Sequence, residues 1–241
     1  NVGSYDVMLT VTTNEGCVRT YTQNIDILPQ ANISDFPYTT NFDANNGNWA
    51  EEVRLDRDTS LISDNSWLYS NSGNGEILPK YSGDGFWWTG GNEGTYFNSE
   101  QSWVNGPCFD FSAIDRPMIS MKIISSTDNG FDGAVLQYSI DGAATWENIG
   151  SLNQGGINWY NSNTISAQPG NQDFGFGWTG ELERNEEGAL QWIHVAHNLN
   201  NLKGEDNVLL RVAFGSNADN SASVVDGFAF DDVFVGDKQR L

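Results

Sequence analysis

Val225-Asp226-Gly227-Phe228-Ala229-Phe230-Asp231-Asp232-Val233-Phe234-Val235 alternates apolar residues and then interrupts them with two adjacent carboxylates. Period-two alternation marks a β-strand with one buried face, while Asp is disfavoured within strands. On a regular strand one of Asp231 and Asp232 points inward. A buried carboxylate has to be hydrogen-bonded, paired or bound to a metal. The strand therefore predicts a partner for these two side chains, and the rest of the chain has to supply it.

Outward from this run, helix-period patterns are nearly absent and short strand signals recur. Strand candidates are 38–42, 49–53, 67–69, 95–97, 118–124, 134–139, 146–149, 190–197, 208–214 and 228–235. Turn chemistry separates them, at Asn45-Asn46-Gly47, Ser82-Gly83-Asp84-Gly85, Asp128-Asn129-Gly130 and Asp141-Gly142. Many short strands at this spacing predict a β-sandwich or barrel. No 20–50-residue period repeats, which excludes propellers and solenoids. Residues 152–188 are rich in Asn, Gln and Gly with little alternation, and a loop of that length is expected to be functional or mobile. Ahead of all this, 5–12 and 17–28 alternate around Asn14-Glu15-Gly16 and predict a hairpin ending at Pro29. A lone hairpin is marginal, so it is expected to need neighbours.

The chain has 241 residues, 11 Lys and Arg against 32 Asp and Glu, and a net charge of −21. That balance excludes nucleic acid, whose phosphates need clustered basic residues, and disfavours anionic membranes. Nine Trp, eight Tyr and thirteen Phe exclude an acidic disordered chain. No apolar run reaches membrane-helix length. The sequence opens in mid-strand pattern without a signal peptide, and reads as an excerpt of something longer. Cys17 and Cys108 do not make a disulfide framework.

Two resemblances follow from these residues. Gly3-Ser4-Tyr5-Asp6-Val7-Met8-Leu9-Thr10-Val11-Thr12, followed by Gly16, resembles the closing hairpin of a PKD domain. The resemblance implies that Cys17, where related modules carry a paired cysteine, has its partner outside this sequence. The closing run around Asp231-Asp232, with Thr40-Asn41-Phe42-Asp43 and Trp49 at the start, resembles MAM-like jelly rolls. Residues 105–112 and 131–139 resemble modules of Bacteroidetes surface proteins exported by the type IX pathway. The implied organisation is all-β: residues 1–29 end an immunoglobulin-like PKD sandwich, and residues 30–241 form a jelly-roll β-sandwich. The implied role is a non-catalytic adhesion or ligand-binding module, secreted to the cell surface. Its partners are an extracellular glycan or surface ligand and neighbouring modules of the same chain. The alternatives are a carbohydrate-binding ancillary module of a secreted hydrolase and a structural spacer. Calcium is the expected ion, because hard cations take carboxylate oxygens and cationic side chains are scarce. Carried over from similar jelly rolls, its ligands are Asp43 with Asp231 or Asp232, and Asn45 nearby. The competing reading satisfies the inward Asp with backbone N–H groups or Arg211.

The remaining motifs point to structure. Ser139-Ile140-Asp141-Gly142-Ala143-Ala144-Thr145-Trp146 resembles an Asp-box, a carboxylate-capped hairpin with Trp packed beneath. Asp128, Asp132 and Asp141 form a second acidic group, read as turn formers because no calcium-loop Glu follows. His194 and His197 lie on a strand pattern and face opposite ways, which argues against zinc. No nucleophile elbow, zinc-protease helix or P-loop is present, and nothing marks one carboxylate pair out for glycoside hydrolysis. Trp49, Trp67, Trp103, Trp146 and Trp192 lie in strand patterns and are expected in the core. Trp87, Trp88, Trp159, Tyr160 and Trp178 lie beside Gly and Asn. They are candidates for a sugar-stacking platform, and the competing reading has them pin the long loop onto the sandwich.

Overall fold

The computed structural model describes residues 3–27, 32–51, 65–80, 84–171, 174–218 and 226–237. In chain order its strands are β1 (Gly3–Thr12), β2 (Val18–Ile27), β3 (Asn32–Ile33), β4 (Tyr38–Thr40), β5 (Ala50–Glu51), β6 (Trp67–Ser70), β7 (Phe86–Thr89) and β8 (Gln101–Phe109). They continue as β9 (Pro117–Ser126), β10 (Gly133–Ser139), β11 (Glu147–Asn148), β12 (Trp178–Thr179), β13 (Ile193–Asn198), β14 (Val208–Gly215) and β15 (Gly227–Asp237). One 3-10 turn, Asn200–Leu202, is the only helical element among the described residues.

β1 and β2 pair antiparallel as a sheet of their own. The expected boundary at Pro29, Val53 of one strand candidate, the Ser82-Gly83 turn and Val225 lie outside the described residues. The other strands form two sheets. The seven-stranded sheet runs β11-β10-β14-β8-β3, with β12 on β10 and β5 on β8. The six-stranded sheet runs β13-β9-β15-β7-β6, with β4 on β15. From β8 onward the long strands alternate between sheets, β8, β10 and β14 in one and β9, β13 and β15 in the other. This is the winding of a jelly-roll sandwich.

Alternation along these strands builds the core. Val104, Leu136, Leu210, Val212 and Phe214 line one inner face; Trp87, Ile119, Met121, Ile123, Phe228 and Phe230 line the other. Aromatic pairs knit the layers edge-on, Tyr96 to Phe214 at 4.8 Å and Phe42 to Phe230 at 5.7 Å. Such geometries add to area burial. A smaller apolar cluster lies on the opposite face of the six-stranded sheet: Ile77, Phe86, Trp88, Ile124, Leu190 and Ala229, with Trp192 packed against it. The alternation Trp87-in, Trp88-out divides the two clusters within one short strand.

Three elements differ from the sequence reading. β8, absent from the strand candidates, runs straight through Asn105-Gly106-Pro107. Its register with β14 passes from Leu209↔Cys108 to Arg211↔Asn105, so Gly106 and Pro107 oppose a single residue. A bulge of this kind accommodates a strand proline. Residues Phe86–Thr89 are a strand, not a loop, because β6 and β15 pair with them on either side. The expected strand at 95–97 is a turn closed by an Asn92↔Thr95 bridge.

Candidate functional site

The two carboxylates of β15 sit at a second bulge. The register of β15 with β9 shifts between Asp231 and Phe234, and Asp232 takes φ 50°, a left-handed conformation that Asp tolerates better than most residues. Asp231 lies opposite Lys122 in register and shares the outer face with Ala229. Asp232 absorbs the bulge, and Val233 returns to the core. The expectation of one Asp pointing into the sandwich is thereby corrected: the bulge breaks the alternation, and neither enters the main core.

Asp231 is nevertheless only 1% exposed. Its Oδ1 accepts the Asp232 backbone N–H at 2.6 Å. The Lys80 ammonium lies 3.8 Å from its Oδ2 and contacts Asp232 Oδ2 directly. Burial pushes the Asp231 carboxyl up to about 7, with Asp232 and Asp43 adding repulsion and Lys80 opposing it. Burial also works against charge on Lys80, but Asp232, Asp231 and Asp84 outweigh it and raise its pKa. Asp43 is close enough to be felt by Asp231, yet its Oδ1 accepts the Gly85 N–H at 3.2 Å and its Oδ2 accepts the Asn41 amide. Asn45 accepts the Gly47 N–H at 2.9 Å within its own turn. The cation expected at this strand is thus Lys80 in this structure. Among the described residues no three His, Cys, Asp or Glu side chains converge to hold a metal ion, so the residues as arranged do not form a calcium shell.

Arg211, the alternative partner, is in the other sheet. Its guanidinium is layered between Trp103 and Trp146, 4.2 and 4.1 Å from the ring centroids, and its Nε donates to Gln137 Oε1 at 2.8 Å. Trp146 is half-buried rather than core. The Asp-box hairpin ahead of it forms as the motif implies: Asp141 Oδ1 accepts the Thr145 N–H at 2.9 Å and Oδ2 the Thr145 hydroxyl at 2.6 Å.

The aromatic platform is corrected. Trp87, Trp88, Trp159, Tyr160 and Trp178 are all buried, and a covered ring face cannot stack on a sugar. Trp178 packs edge-on against Trp159 at 5.0 Å and Tyr160 at 4.8 Å. The polar handles of these three are also used inside the fold. Trp159 Nε1 donates to Ile149 O at 2.8 Å, Trp178 Nε1 to Asn158 O at 3.0 Å, and the Tyr160 hydroxyl to Leu136 O at 3.1 Å. The long segment is therefore nailed to the sandwich by its aromatics, which is the competing reading.

An open concavity lies elsewhere, above the small apolar cluster on the outer face of the six-stranded sheet. It is a groove of about 470 Å³. β9 supplies its floor with Lys122 and Ile124; the segment from Gly75 to Lys80 forms one wall and Ala189 to Trp192 the other. Trp192 Nε1 donates to Leu78 O at 3.0 Å and ties the two walls. Its ring meets Phe86 edge-on at 5.9 Å. Leu78 is 52% exposed. Glu76 faces a bidentate Arg184, at 2.7 and 2.6 Å. Lys80 joins this groove to the acidic bulge of β15. Sequence reasoning missed Leu78, Lys80 and Lys122 and assigned Trp192 to the core. The only available signal was that two of four lysines in a strongly acidic chain end up here, and their meeting depends on topology.

No protein family and no characterised protein sequence matches the chain. Among solved structures, the K1 cleaved adhesin domain of the Lys-gingipain of Porphyromonas gingivalis W83 is similar at 12% identity and TM-score 0.44, covering 85% of this chain and 100% of that one. The K2 cleaved adhesin domain of Lys-gingipain is similar at 14% identity and TM-score 0.42, covering 83% and 99%. A structure of carbohydrate-binding modules of the β-sandwich superfamily is similar at 11% identity and TM-score 0.39, covering 98% of this chain and 73% of that one.

Proposed function

We propose that this chain is a non-catalytic ligand-binding module of a larger secreted surface protein, and that its ligand docks in the groove over the six-stranded sheet. The groove carries the reading. It has the size of a small-molecule site and the mixture such sites use, apolar walls with a few polar groups to fix orientation. The buried acids elsewhere are occupied by structural hydrogen bonds. Glu100 accepts from Ser66 N–H and hydroxyl at 2.9 and 2.8 Å and from Phe97 N–H at 2.9 Å. Asp132 accepts from Tyr96 at 2.7 Å and Asn217 N–H at 2.8 Å. Groups so engaged support a binding role over acid–base chemistry.

The β1–β2 hairpin is read as the end of a PKD-like neighbour. Its support is the exposed side chains Val7, Leu9, Val11 and Tyr21, which strand alternation and the Leu9↔Tyr21 pairing put on one face. An apolar hairpin face of this kind gains stability from a covering sheet. Calcium enters as a competitor of Lys80: an ion at Asp231 and Asp232 has to displace the ammonium, and Asp43 has to leave its bonds to Gly85 and Asn41 to join it.

The test is a glycan array probed with the wild-type chain and with Trp192→Ala, each checked for an unchanged far-UV spectrum. The proposal expects saccharide binding that the variant loses. Equal binding by both proteins rules out the groove, and no binding by either rules out a saccharide ligand.

A further inference from the structure

Lys122 is the groove's uncommitted charge. Lys80 is engaged by Asp232 and Asp231, and Glu76 by Arg184. Lys122, in the middle of the floor, has no ion-pair partner among the described residues. Its cross-strand neighbours in register are Asp231 on one side and His194 on the other. Asp231 is turned to Lys80 and Asp232, and burial together with Lys122 holds His194 below its ordinary pKa. A partly desolvated ammonium gains most from an anionic acceptor, since hydrogen bonds between charged groups are stronger than neutral ones. In a chain of net charge −21 this is a local exception, so it selects position as well as sign.

The backbone around Lys122 indicates what kind of anion fits. β9 lies between β13 and β15 and is paired on both edges. The floor therefore presents side chains and no free ladder, and an extended peptide, which binds by adding to a sheet edge, finds no main-chain partners there. The walls instead offer an indole, two aliphatic side chains and the Gln191 amide oxygen, the amide nitrogen being bonded to Ala189 O and Leu190 O at 3.1 and 2.9 Å. Apolar surface for C–H groups, an amide for hydroxyls and one ammonium for a carboxylate together describe a sugar acid.

Resting on the binding-module reading, we propose that the groove takes a saccharide bearing a carboxylate, set with its charged group against Lys122 and its ring against Leu78 and Trp192, where the two walls meet.

The experiment uses the full chain and two matched pairs of probes: tetragalacturonate with its methyl ester, and sialyllactose with its methyl ester. Each pair keeps the sugar skeleton and removes the charge. Titration calorimetry on wild type, Lys122→Gln and Trp192→Ala reads the affinities. The expected result is an acid in at least one pair bound about tenfold more tightly than its neutral partner, the scale of one charge-assisted hydrogen bond. Lys122→Gln should erase that preference. A preference that survives Lys122→Gln overturns the inference, and so does equal binding of acid and neutral forms. If the neutral sugars bind and Trp192→Ala abolishes it, the groove stands and only its charge selectivity falls. If no probe binds, both fall. Thermal melts of each variant confirm that loss of binding is not loss of fold.

Discussion

Replacing Asp231 by Asn changes one buried charge at the bulge of β15 and little else. Asn keeps an oxygen to accept the Asp232 N–H, the 2.6 Å bond that Asp231 Oδ1 makes. It removes a carboxyl that burial has pushed from 3.8 up to about 7. A carboxyl raised in the folded state is bound to its proton more tightly there than in the unfolded chain. Its penalty is therefore absent below about pH 4, grows as pH rises, and is complete above about pH 7. At roughly 1.4 kcal/mol per pH unit the gap amounts to about 4 kcal/mol. For a chain of this size that corresponds to roughly 10 °C in melting temperature. The measurement is urea and thermal unfolding of both proteins in EDTA from about pH 4.5 to pH 8.5. The variant should match wild type at the acid end and become the more stable protein toward the alkaline end. Comparing the two proteins at each pH cancels the other titrating groups. A stability difference that does not change with pH, or one that favours wild type as pH rises, refutes the reasoning. Calcium supplies an internal control, since an ion bound by the ionised pair reverses the sign. With millimolar calcium at pH 8, the proposed competition with Lys80 predicts that wild type becomes the more stable and the variant does not respond.

Four further outcomes follow from the same structure. Arg211→Ala removes a guanidinium layered between two indoles and bonded to Gln137, and should cost about 2–4 kcal/mol in urea unfolding, with Arg211→Lys recovering part of it. Trp178→Ala opens the cluster that anchors the long segment and should cost about 3–5 kcal/mol, read as a lower urea midpoint. Asp141 is held down to about 2 by the Thr145 hydroxyl and N–H and by Ser139, so its stabilisation is present above about pH 4 and fades toward pH 2. Asp141→Ala should therefore melt below wild type at neutral pH, with the gap closing in acid. Exhaustive EDTA treatment of the wild type, followed by calcium titration, should raise the melting temperature if calcium displaces Lys80, and an unresponsive melt removes calcium from the account.

Much of the sandwich was legible because its signals are local. Alternation in Met118–Ile124, Ala134–Ser139 and Val208–Phe214 reports one buried face directly, and those runs are β9, β10 and β14 within a residue or two. The failures share a cause. Gly106-Pro107 hides β8 until β14 is placed opposite it, and Phe86–Thr89 reads as a loop until β6 and β15 flank it. Asp231-Asp232 reads as one residue in and one out until the bulge at φ 50° intervenes. In each case the deciding partner is distant in sequence.

The site was legible only in part, for the same reason. The acidic pair could be picked out because carboxylates in a strand are chemically anomalous. Lys80, its partner, lies about 150 residues earlier in a segment without pattern. The aromatics of the long segment were recognised as unusual, but nothing local distinguishes a ring held under a loop from one displayed on it. Trp192 presents the converse: flanked by Ile193 and Val195 it reads as core, while the strand begins only at Ile193 and leaves its indole bridging to Leu78.

The central claim is that ligand meets the Trp192 groove and not the aromatic cluster of the long segment. Indole N–H resonances in a ¹H–¹⁵N spectrum test it directly, because each of the nine tryptophans reports separately. On titration with a saccharide that binds, the account predicts that the Trp192 signal moves while those of Trp87, Trp159 and Trp178 stay in place. Movement of Trp159 and Trp178 with Trp192 unchanged would contradict it.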